Sequence, residues 1–152
     1  MKRTLILANL LLCLFSLSAQ RGNNSARVSV SLIDYSILND GLMVDKDSVA
    51  AGLVNTTAPV FKGGYQCLLY FFGDHISYPV IAIENGIQGR VVIQFEIDKY
   101  GYVNDEMILR GLDPSCDKEA IAIIRAMPPW IPATYNGKPA KSYVRLQIQF
   151  RL

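Results

Sequence analysis

The sequence has very few of the side chains that usually carry metal binding or acid–base catalysis. Its 152 residues include one histidine, His75, and three cysteines. A zinc site generally takes several imidazole or thiolate ligands, and an activated nucleophile generally needs a neighbouring base. The carboxylates lie in predicted turns and helix ends, where capping and solvation account for them. We therefore expect no catalytic residues, no cofactor and no metal, and we interpret His75 first as a solvated or packing residue.

An excess of charge of one sign is also missing. The chain has 15 Lys and Arg residues against 13 Asp and Glu residues, which gives a formal net charge of +2. The basic residues are scattered, and no stripe of Lys and Arg interleaved with aromatic residues appears. Because binding to a polyanion needs such a positive surface, the sequence disfavours a nucleic-acid partner.

No apolar run has the length of an ordinary transmembrane helix. The most apolar segment, residues 5–17, spans 13 residues and is interrupted by Asn9, whereas a helix needs about 20 residues to cross a bilayer. A short apolar run of this kind is typical of a signal peptide, here residues 1–19, so we expect an exported protein. An uncleaved membrane anchor is the alternative. The signal features are Lys2 and Arg3 before the run and Ser16, Ser18 and Ala19 at its end.

Cysteine is scarce in the remaining chain. Cys13 lies in the predicted signal peptide, which leaves Cys67 and Cys116. Both lie on predicted helices that should pack on the same face of one sheet, and an exported protein meets oxidising conditions. Two alternatives stay open for this pair, a Cys67–Cys116 disulfide or two small buried thiols.

Composition divides the chain into three parts. Residues 20–58, which follow the predicted signal peptide, are rich in Ser, Asn and Asp and are predicted to be a linker or a loosely ordered N-terminal segment. Within them only Val28, Val30 and Leu32 alternate like a short strand. Residues 59–152 hold the strong periodic patterns and are predicted to form one folded domain.

The patterns in residues 59–152 predict an α+β domain with the element order α-β-β-α-β. Residues 65–76 have helical periodicity, residues 88–98 and 102–109 alternate as two strands, and Asp113 and Pro114 begin a second helix. Residues 141–152 alternate as a third strand. A right-handed crossover would place this strand beside the first one. We therefore predict a three-stranded antiparallel sheet with two helices packed on one face and the last strand at an edge.

A long pattern of aromatic, proline, glycine and alternating aliphatic residues runs through the same domain. Its members are Tyr78, Pro79, Ala82, Gly86, Gly89, Val91, Ile93, Phe95, Ile97, Asp98, Gly101, Leu112, Asp113, Ala120, Trp130, Pro132, Gly137, Lys138, Pro139 and Phe150. This pattern resembles the C-terminal domain of TonB, the envelope protein that bacteria use to pull on outer-membrane receptors. The resemblance covers roughly residues 61–152.

The resemblance implies a protein-binding module. In this family the domain binds a short receptor segment, the TonB box, and pairs it with the last strand, here residues 141–152. An edge strand offers unpaired main-chain groups for such strand addition. The candidate partner-binding residues are Tyr143, Arg145, Gln147, Gln149 and Arg151 on that strand, together with His75 in the segment before the Tyr-Pro pair.

Two parts of a full TonB have no counterpart in the sequence. The apolar residues 5–17 contain no histidine, the residue through which the TonB membrane helix couples to the motor proteins ExbB and ExbD. A proline-rich spacer is also missing, because only Pro59 falls between residues 20 and 61. The sequence therefore favours a stand-alone TonB-like protein in the periplasm. Contact with an ExbB/ExbD-type motor is expected only if the N-terminus stays in the inner membrane as an anchor facing the periplasm.

These observations lead to one main hypothesis for function and two weaker ones. The main hypothesis is a TonB-like periplasmic module that engages TonB-dependent outer-membrane receptors by strand addition, in energy-coupled transport across the outer membrane. The alternative is an envelope scaffolding protein whose exposed edge pairs with a second copy to form a homodimer. A small exported enzyme is the weakest hypothesis, because no catalytic constellation appears.

Overall fold

The computed structural model describes residues 26–39, 42–45 and 55–152. The predicted signal peptide, residues 1–19, lies outside the described residues. Within them the chain forms seven strands and three helices. The strands are β1 (Arg27–Asn39), β2 (Leu42–Asp45), β3 (Thr56–Thr57), β4 (Gly89–Ile97), β5 (Val103–Arg110), β6 (Ala133–Tyr135) and β7 (Lys138–Arg151), and the helices are α1 (Gly64–His75), α2 (Val80–Glu84) and α3 (Pro114–Arg125).

The sheet has the order β2-β1-β7-β4-β5, and every neighbouring pair is antiparallel. Short strands β3 and β6 join it at one end, where β6 pairs with β7. The predicted α+β class with an antiparallel sheet is confirmed, and β4 lies between β5 and β7 as the crossover argument requires. The predicted strand number is wrong, because β1 and β2 extend the sheet beyond β7.

Strand β4 forms where the sequence alternates most cleanly. Val91, Ile93, Phe95 and Ile97 are all fully buried, as expected when alternate side chains of a strand face one core. Asp98 then closes the turn into β5, because its Oδ1 accepts hydrogen bonds from the backbone N–H of Tyr100 at 2.8 Å and of Tyr102 at 2.9 Å. These contacts fix the predicted hairpin of β4 and β5.

Gly101 is required in this turn for two reasons. Its φ is +93°, a conformation that residues with a side chain rarely adopt. A Cβ atom at this position would also lie 2.0 Å from the carbonyl oxygen of Trp130. The close approach is made by a backbone hydrogen bond, in which Trp130 N–H donates to the Gly101 carbonyl oxygen at 2.8 Å. The turn and the segment after α3 are therefore held together at one point.

Helix α3 begins where the sequence predicts. The Asp113 side chain accepts a hydrogen bond from the backbone N–H of Ser115 at 2.9 Å, and Pro114 occupies the first turn. Both features suit a helix N-terminus, because its first N–H groups have no partner within the helix. The helix then turns Ala120, Ile123 and Ile124 into the core. Helix α2 is an addition to the prediction, a short turn of helix that follows Pro79.

The main core lies between the sheet and the helices. It includes the inward side chains of β4 and β7 together with Leu68 and Phe72 of α1. Trp130 is also part of it, since its ring lies 5.3 Å from the Phe61 ring and 5.8 Å from the Phe95 ring, measured between centroids. A second, smaller cluster at the β1–β2 end of the sheet contains Ile37, Val44, Ala133 and Ala140.

The segment predicted as a linker differs most from the structure. Within residues 20–58, strand β1 pairs with β7 over 11 residue pairs, and β2 returns beside it as a hairpin. The register shifts between Leu32 and Asp34, so that Val28 and Val30 face the core before the bulge and Tyr35 and Ile37 face it afterwards. The bulge changes which alternate residues are buried. The sequence of β1 therefore shows regular alternation only over a short stretch, and the rest of the strand is not recognised.

The cysteine alternatives are also decided in part. Cys116 is a fully buried free thiol, so the structure contradicts the Cys67–Cys116 disulfide. Packing on the same face of a sheet does not by itself bring two cysteines into the close approach that a disulfide requires. Burial raises the pKa of the Cys116 thiol above its ordinary value.

Candidate peptide-binding strand

Strand β7 separates its apolar and polar side chains onto the two faces of the sheet. Val144, Leu146, Ile148 and Phe150 are fully buried. The residues between them point to the opposite side, since successive side chains of a strand alternate. We call this second side the polar face of β7, and its members are Tyr143, Arg145, Gln147, Gln149 and Arg151. The structure thus brings together all five of the candidate partner-binding residues that the sequence places on the last strand.

Both edges of β7 are occupied, which corrects the prediction of an edge strand. On one side, β4 pairs with β7 from Gly89 opposite Phe150 to Ile97 opposite Ser142. On the other side, β1 pairs with it from Arg27 opposite Arg151 to Leu38 opposite Lys141. The main-chain groups that strand addition would use are therefore already paired with the chain's own N-terminal strand.

Arg145 connects the two strands that flank β7. Its Nε donates a hydrogen bond to Oε1 of Gln94 on β4 at 2.9 Å, and its Nη1 donates to Oδ2 of Asp34 on β1 at 3.2 Å. An acidic residue of the same chain therefore holds the position beside this arginine. Both charged side chains are more than a third exposed, so the pair contributes at most about 1 kcal/mol to stability.

The rest of the polar face has fewer contacts within the chain. Gln149 donates through Nε2 to the carbonyl oxygens of Gly89 at 2.9 Å and Phe150 at 3.2 Å. Gln147 lies between Ser31 of β1 and Val92 of β4 in the strand register. Gln147 and Gln149 are uncharged, whereas Arg151 lies opposite Arg27 at the start of β1. Beside the first half of β1, the polar face therefore carries two neutral side chains and one positive charge.

An open groove of about 480 Å³ lies next to Arg145, at the β1 bulge. Ile33 and Met43 give it exposed apolar surface, and Asp34 and Arg145 give it charges of both signs. Tyr35 also lines the groove, and burial raises the pKa of its hydroxyl. The groove has the mixed apolar and polar lining of a site for one or two side chains of a partner.

His75 does not join the other candidates. It ends α1 on the helix side of the sheet, where its ring stacks on Phe71 with 4.4 Å between centroids. Its Nδ1 lies 2.9 Å from the Phe71 carbonyl oxygen. These contacts describe a packing role at a helix C-terminus, away from the polar face of β7.

Several residues at this site give no local signal in the sequence. Asp34 contacts Arg145 from 111 positions away, and nothing local to either residue indicates the pair. Glu96 is buried on β4 and pairs with Lys141, with 2.9 Å between Oε2 and Nζ. The hydrogen bond from Lys141 to Glu96 and the charge of that carboxylate raise the pKa of Lys141. In sequence, Glu96 looks like any polar residue on the solvent side of an alternating strand.

No helix in residues 26–39, 42–45 and 55–152 is both long enough and apolar enough to cross a membrane. In those same ranges, no group of three or more His, Cys, Asp or Glu side chains is arranged to hold a metal ion.

The antiparallel sheet backed by helices on one face, with the polar face of β7 on the other, is an α+β fold. A family model described as Gram-negative bacterial TonB protein C-terminal matches residues 74–152. This match spans 79 of the 152 residues, and the chain belongs to that family. Domains of this family are non-enzymatic protein-interaction modules of energy-coupled transport in the bacterial envelope, and they interact with outer-membrane receptors.

The matched region begins at the end of α1 and runs through β7. It leaves out strands β1, β2 and β3. A search of the curated proteins and a search of the solved structures each found no significant match. Strand β1, which occupies one side of β7, is therefore a feature of this chain outside the part that the family model covers.

Proposed function

We propose that the protein is a periplasmic receptor-binding module. It engages a TonB-dependent outer-membrane receptor by adding an extended receptor segment to strand β7, within energy-coupled transport across the outer membrane. The single observation that carries this proposal is the pairing of β7 with β1. On the side away from β4, β7 already accepts an extended strand over 11 residue pairs.

Strand addition suits this side of β7 for a physical reason. Main-chain hydrogen bonds supply affinity without regard to sequence, and the side chains next to the strand set the register. The polar face provides such side chains, with Gln147 and Gln149 for small polar groups of the segment. The groove beside Arg145 would take an apolar side chain at the end of the added segment.

The experiment that tests this function is a titration of the ¹⁵N-labelled protein with synthetic peptides that copy TonB-box segments. We expect amide shifts concentrated in residues 143–151 and in β1. The matched control is the same peptide with a proline in its centre, which cannot donate the central ladder hydrogen bond. Shifts with the proline peptide equal to those with the parent peptide, or no shifts with any peptide, would contradict the proposal.

Location is a second part of the proposal. The family places its members in the bacterial envelope, and the predicted signal peptide at residues 1–19 supports a periplasmic protein. An anchored form would instead sit in the inner membrane and could contact an ExbB/ExbD-type motor. Fractionation of cells after a salt wash separates the two, because an anchored chain stays with the membranes and a processed chain appears in the periplasmic fraction.

The scaffolding alternative uses the same side of β7. A homodimer that pairs two copies through β7 would first have to remove β1 from both of them, because β1 occupies this side. Sedimentation at several concentrations tests it, since self-pairing produces a dimer that grows with concentration. No contact in the described residues favours this alternative over receptor binding.

A further inference from the structure

Strand β1 consists of two halves that are held in very different ways. Residues 34–39, which we call the anchor, follow the bulge at Ile33. Ile37 of the anchor is fully buried in the second cluster, beside Val44 of β2. The anchor also pairs with strands on both sides, because β2 forms four residue pairs with Ser36–Asn39 while β7 pairs with the opposite edge.

Residues 27–32, which we call the flap, are held more weakly. Val30 is the only buried side chain in the flap, and Leu32 is 41% exposed. In the described part of the chain, β7 is the only strand that pairs with the flap, since β2 pairs only with the anchor. Apart from the ladder with β7, one hydrogen bond reaches the flap from the described residues. It is a long one, from Tyr65 Oη to the Val30 carbonyl oxygen at 3.4 Å.

The bulge supplies the point at which the two halves can separate. Ile33 has no partner in the β7 register, because Leu32 lies opposite Leu146 and Asp34 lies opposite Arg145. A bulge interrupts the ladder and bends the strand. Directly after it, the Asp34–Arg145 ion pair holds the anchor on β7. Opening the flap therefore breaks the ladder at a place where it is already interrupted.

We propose that the flap is a displaceable occupant of the peptide-binding side of β7, so that a receptor segment pairs with residues 146–151 after residues 27–32 swing out about Ile33. This inference rests on the proposed function and specifies how the same side of β7 becomes available. The anchor stays in place and keeps the flap attached. The exchange is then local and does not require the core to open.

The flap also indicates the chemistry of the segment that replaces it. Val28 and Val30 pack toward the core opposite Phe150 and Ile148, and Ser29 and Ser31 alternate with them on the polar side. An incoming segment has to fill the same positions. We therefore expect an extended segment of about six residues, the length of one ordinary strand, with aliphatic side chains at alternate positions and small polar side chains between them.

Displacement of the flap has a measurable effect on the affinity for a peptide. A peptide that binds only the open form has an apparent affinity reduced by the fraction of molecules that are open. The flap is attached to the chain, so it competes at a high effective concentration. Weakening the flap should therefore tighten binding of a peptide in trans, whereas locking it should abolish binding.

The locking experiment uses a cysteine pair across the flap and β7. Ser31 and Gln147 lie opposite each other, so S31C/Q147C should form a disulfide in the closed form. The probe is a fluorescein-labelled peptide with the sequence of residues 26–32, Ala-Arg-Val-Ser-Val-Ser-Leu. We expect at least about tenfold weaker probe binding to the oxidised protein than to the same protein after reduction, because only the reduced flap can open.

The matched control places the cross-link in the anchor. Ser36 and Asp45 lie opposite each other on β1 and β2, so S36C/D45C joins two strands that stay together in the proposal. Its oxidised and reduced forms should bind the probe equally. Mass spectrometry of peptide fragments verifies that each disulfide joins the intended pair of cysteines.

A second variant weakens the flap without a cross-link. Val30→Thr nearly keeps the shape of the side chain and places a hydroxyl among apolar neighbours, so it should raise the open fraction and tighten probe binding by roughly tenfold. Val44→Thr is the matched control in the second cluster and should leave probe affinity unchanged.

The outcomes separate this inference from the function on which it rests. Equal probe binding to oxidised and reduced S31C/Q147C overturns the proposal that the flap is displaceable. The absence of probe binding to Val30→Thr overturns it as well. The receptor function stands in either case if TonB-box peptides still shift residues 143–151. Failure of every TonB-box peptide to bind wild-type, reduced S31C/Q147C and Val30→Thr protein overturns the function and the flap together.

Discussion

Strands β4 and β1 lie on the two sides of β7, and they differ far more in burial than in backbone pairing. β4 forms nine residue pairs with β7, and β1 forms 11. Four side chains of β4 are fully buried, at positions 91, 93, 95 and 97, whereas the first six residues of β1 bury only Val30. Two strands with similar ladders are therefore held by very different amounts of apolar contact.

This difference shows why one neighbour of β7 can be exchanged and the other cannot. A hydrogen bond within a protein contributes a net stabilisation of about 0.5–1.5 kcal/mol, because the separated groups bond to water instead. A fully buried aliphatic side chain contributes about 1.5–3 kcal/mol. An incoming peptide restores the hydrogen bonds that the flap gives up. It could not restore the core contacts that removal of β4 would destroy.

The largest effect is expected from two substitutions that lie opposite the same residue. Ile93 on β4 and Leu32 on β1 both pair with Leu146, from opposite sides. Ile93→Ala should lower the free energy of unfolding by about 2–5 kcal/mol, because it leaves a cavity in the core. Leu32→Ala should lower it by less than about 1 kcal/mol, because Leu32 is 41% exposed. Urea unfolding measures both, and equal losses would remove the distinction between the strands.

The next largest effect is expected in the turn between β4 and β5. Gly101→Ala combines a positive φ with a Cβ position 2.0 Å from the Trp130 carbonyl oxygen. We expect a loss of about 3 kcal/mol in the free energy of unfolding, since backbone has to move. Gly137→Ala is the control, because its φ is +77° with no atom within 4 Å of the added Cβ. It should lose only the backbone term of about 1–2 kcal/mol, and thermal unfolding compares the two.

The sequence predicts the β4 side of this comparison well because its signals are local. The alternation of β4 and β7, the Asp98–Gly101 turn and the Asp113 cap each lie within a few neighbouring residues. β1 has no such uniform signal, since the bulge at Ile33 moves the buried positions from even to odd numbers. A periodicity search therefore ends at Leu32 and misses the longer strand.

For a related reason, the sequence predicts the β7 residues of the candidate site but not their neighbours on β1. The sequence predicts that Arg145, Gln147 and Gln149 lie together, because one strand carries all three on the same face. Their neighbours on β1 come from more than 100 positions earlier in the chain, as Asp34 and Arg145 illustrate. Strand order between distant segments depends on which apolar surfaces fit together, and local pattern does not encode it. The prediction that the last strand lies at a free edge of a three-stranded sheet is wrong for this reason.

Hydrogen exchange should reveal the same contrast without any substitution. Amides in the flap that pair with β7 should exchange at least about 100-fold faster than those of β4, which corresponds to about 2.7 kcal/mol between local and more extensive opening. The anchor should exchange at rates closer to those of β4, because Ile37 is fully buried. Uniform protection along all of β1 would contradict separate opening of the flap.

The smallest effect concerns the ion pair that marks the boundary between flap and anchor. Asp34→Asn keeps a hydrogen-bond acceptor for Arg145 but removes the negative charge, so the change isolates the charge of the pair. Because both side chains are more than a third exposed, the free energy of unfolding should fall by less than about 1 kcal/mol. The difference from wild-type protein should shrink further at roughly 1 M salt, where screening acts over about 3 Å. Lys99→Gln, which removes a charge at the distant β4–β5 turn, is the control. If Asp34→Asn instead costs as much as Ile93→Ala, then charge holds β1 on β7 as firmly as burial holds β4, and the flap is not an exchangeable strand.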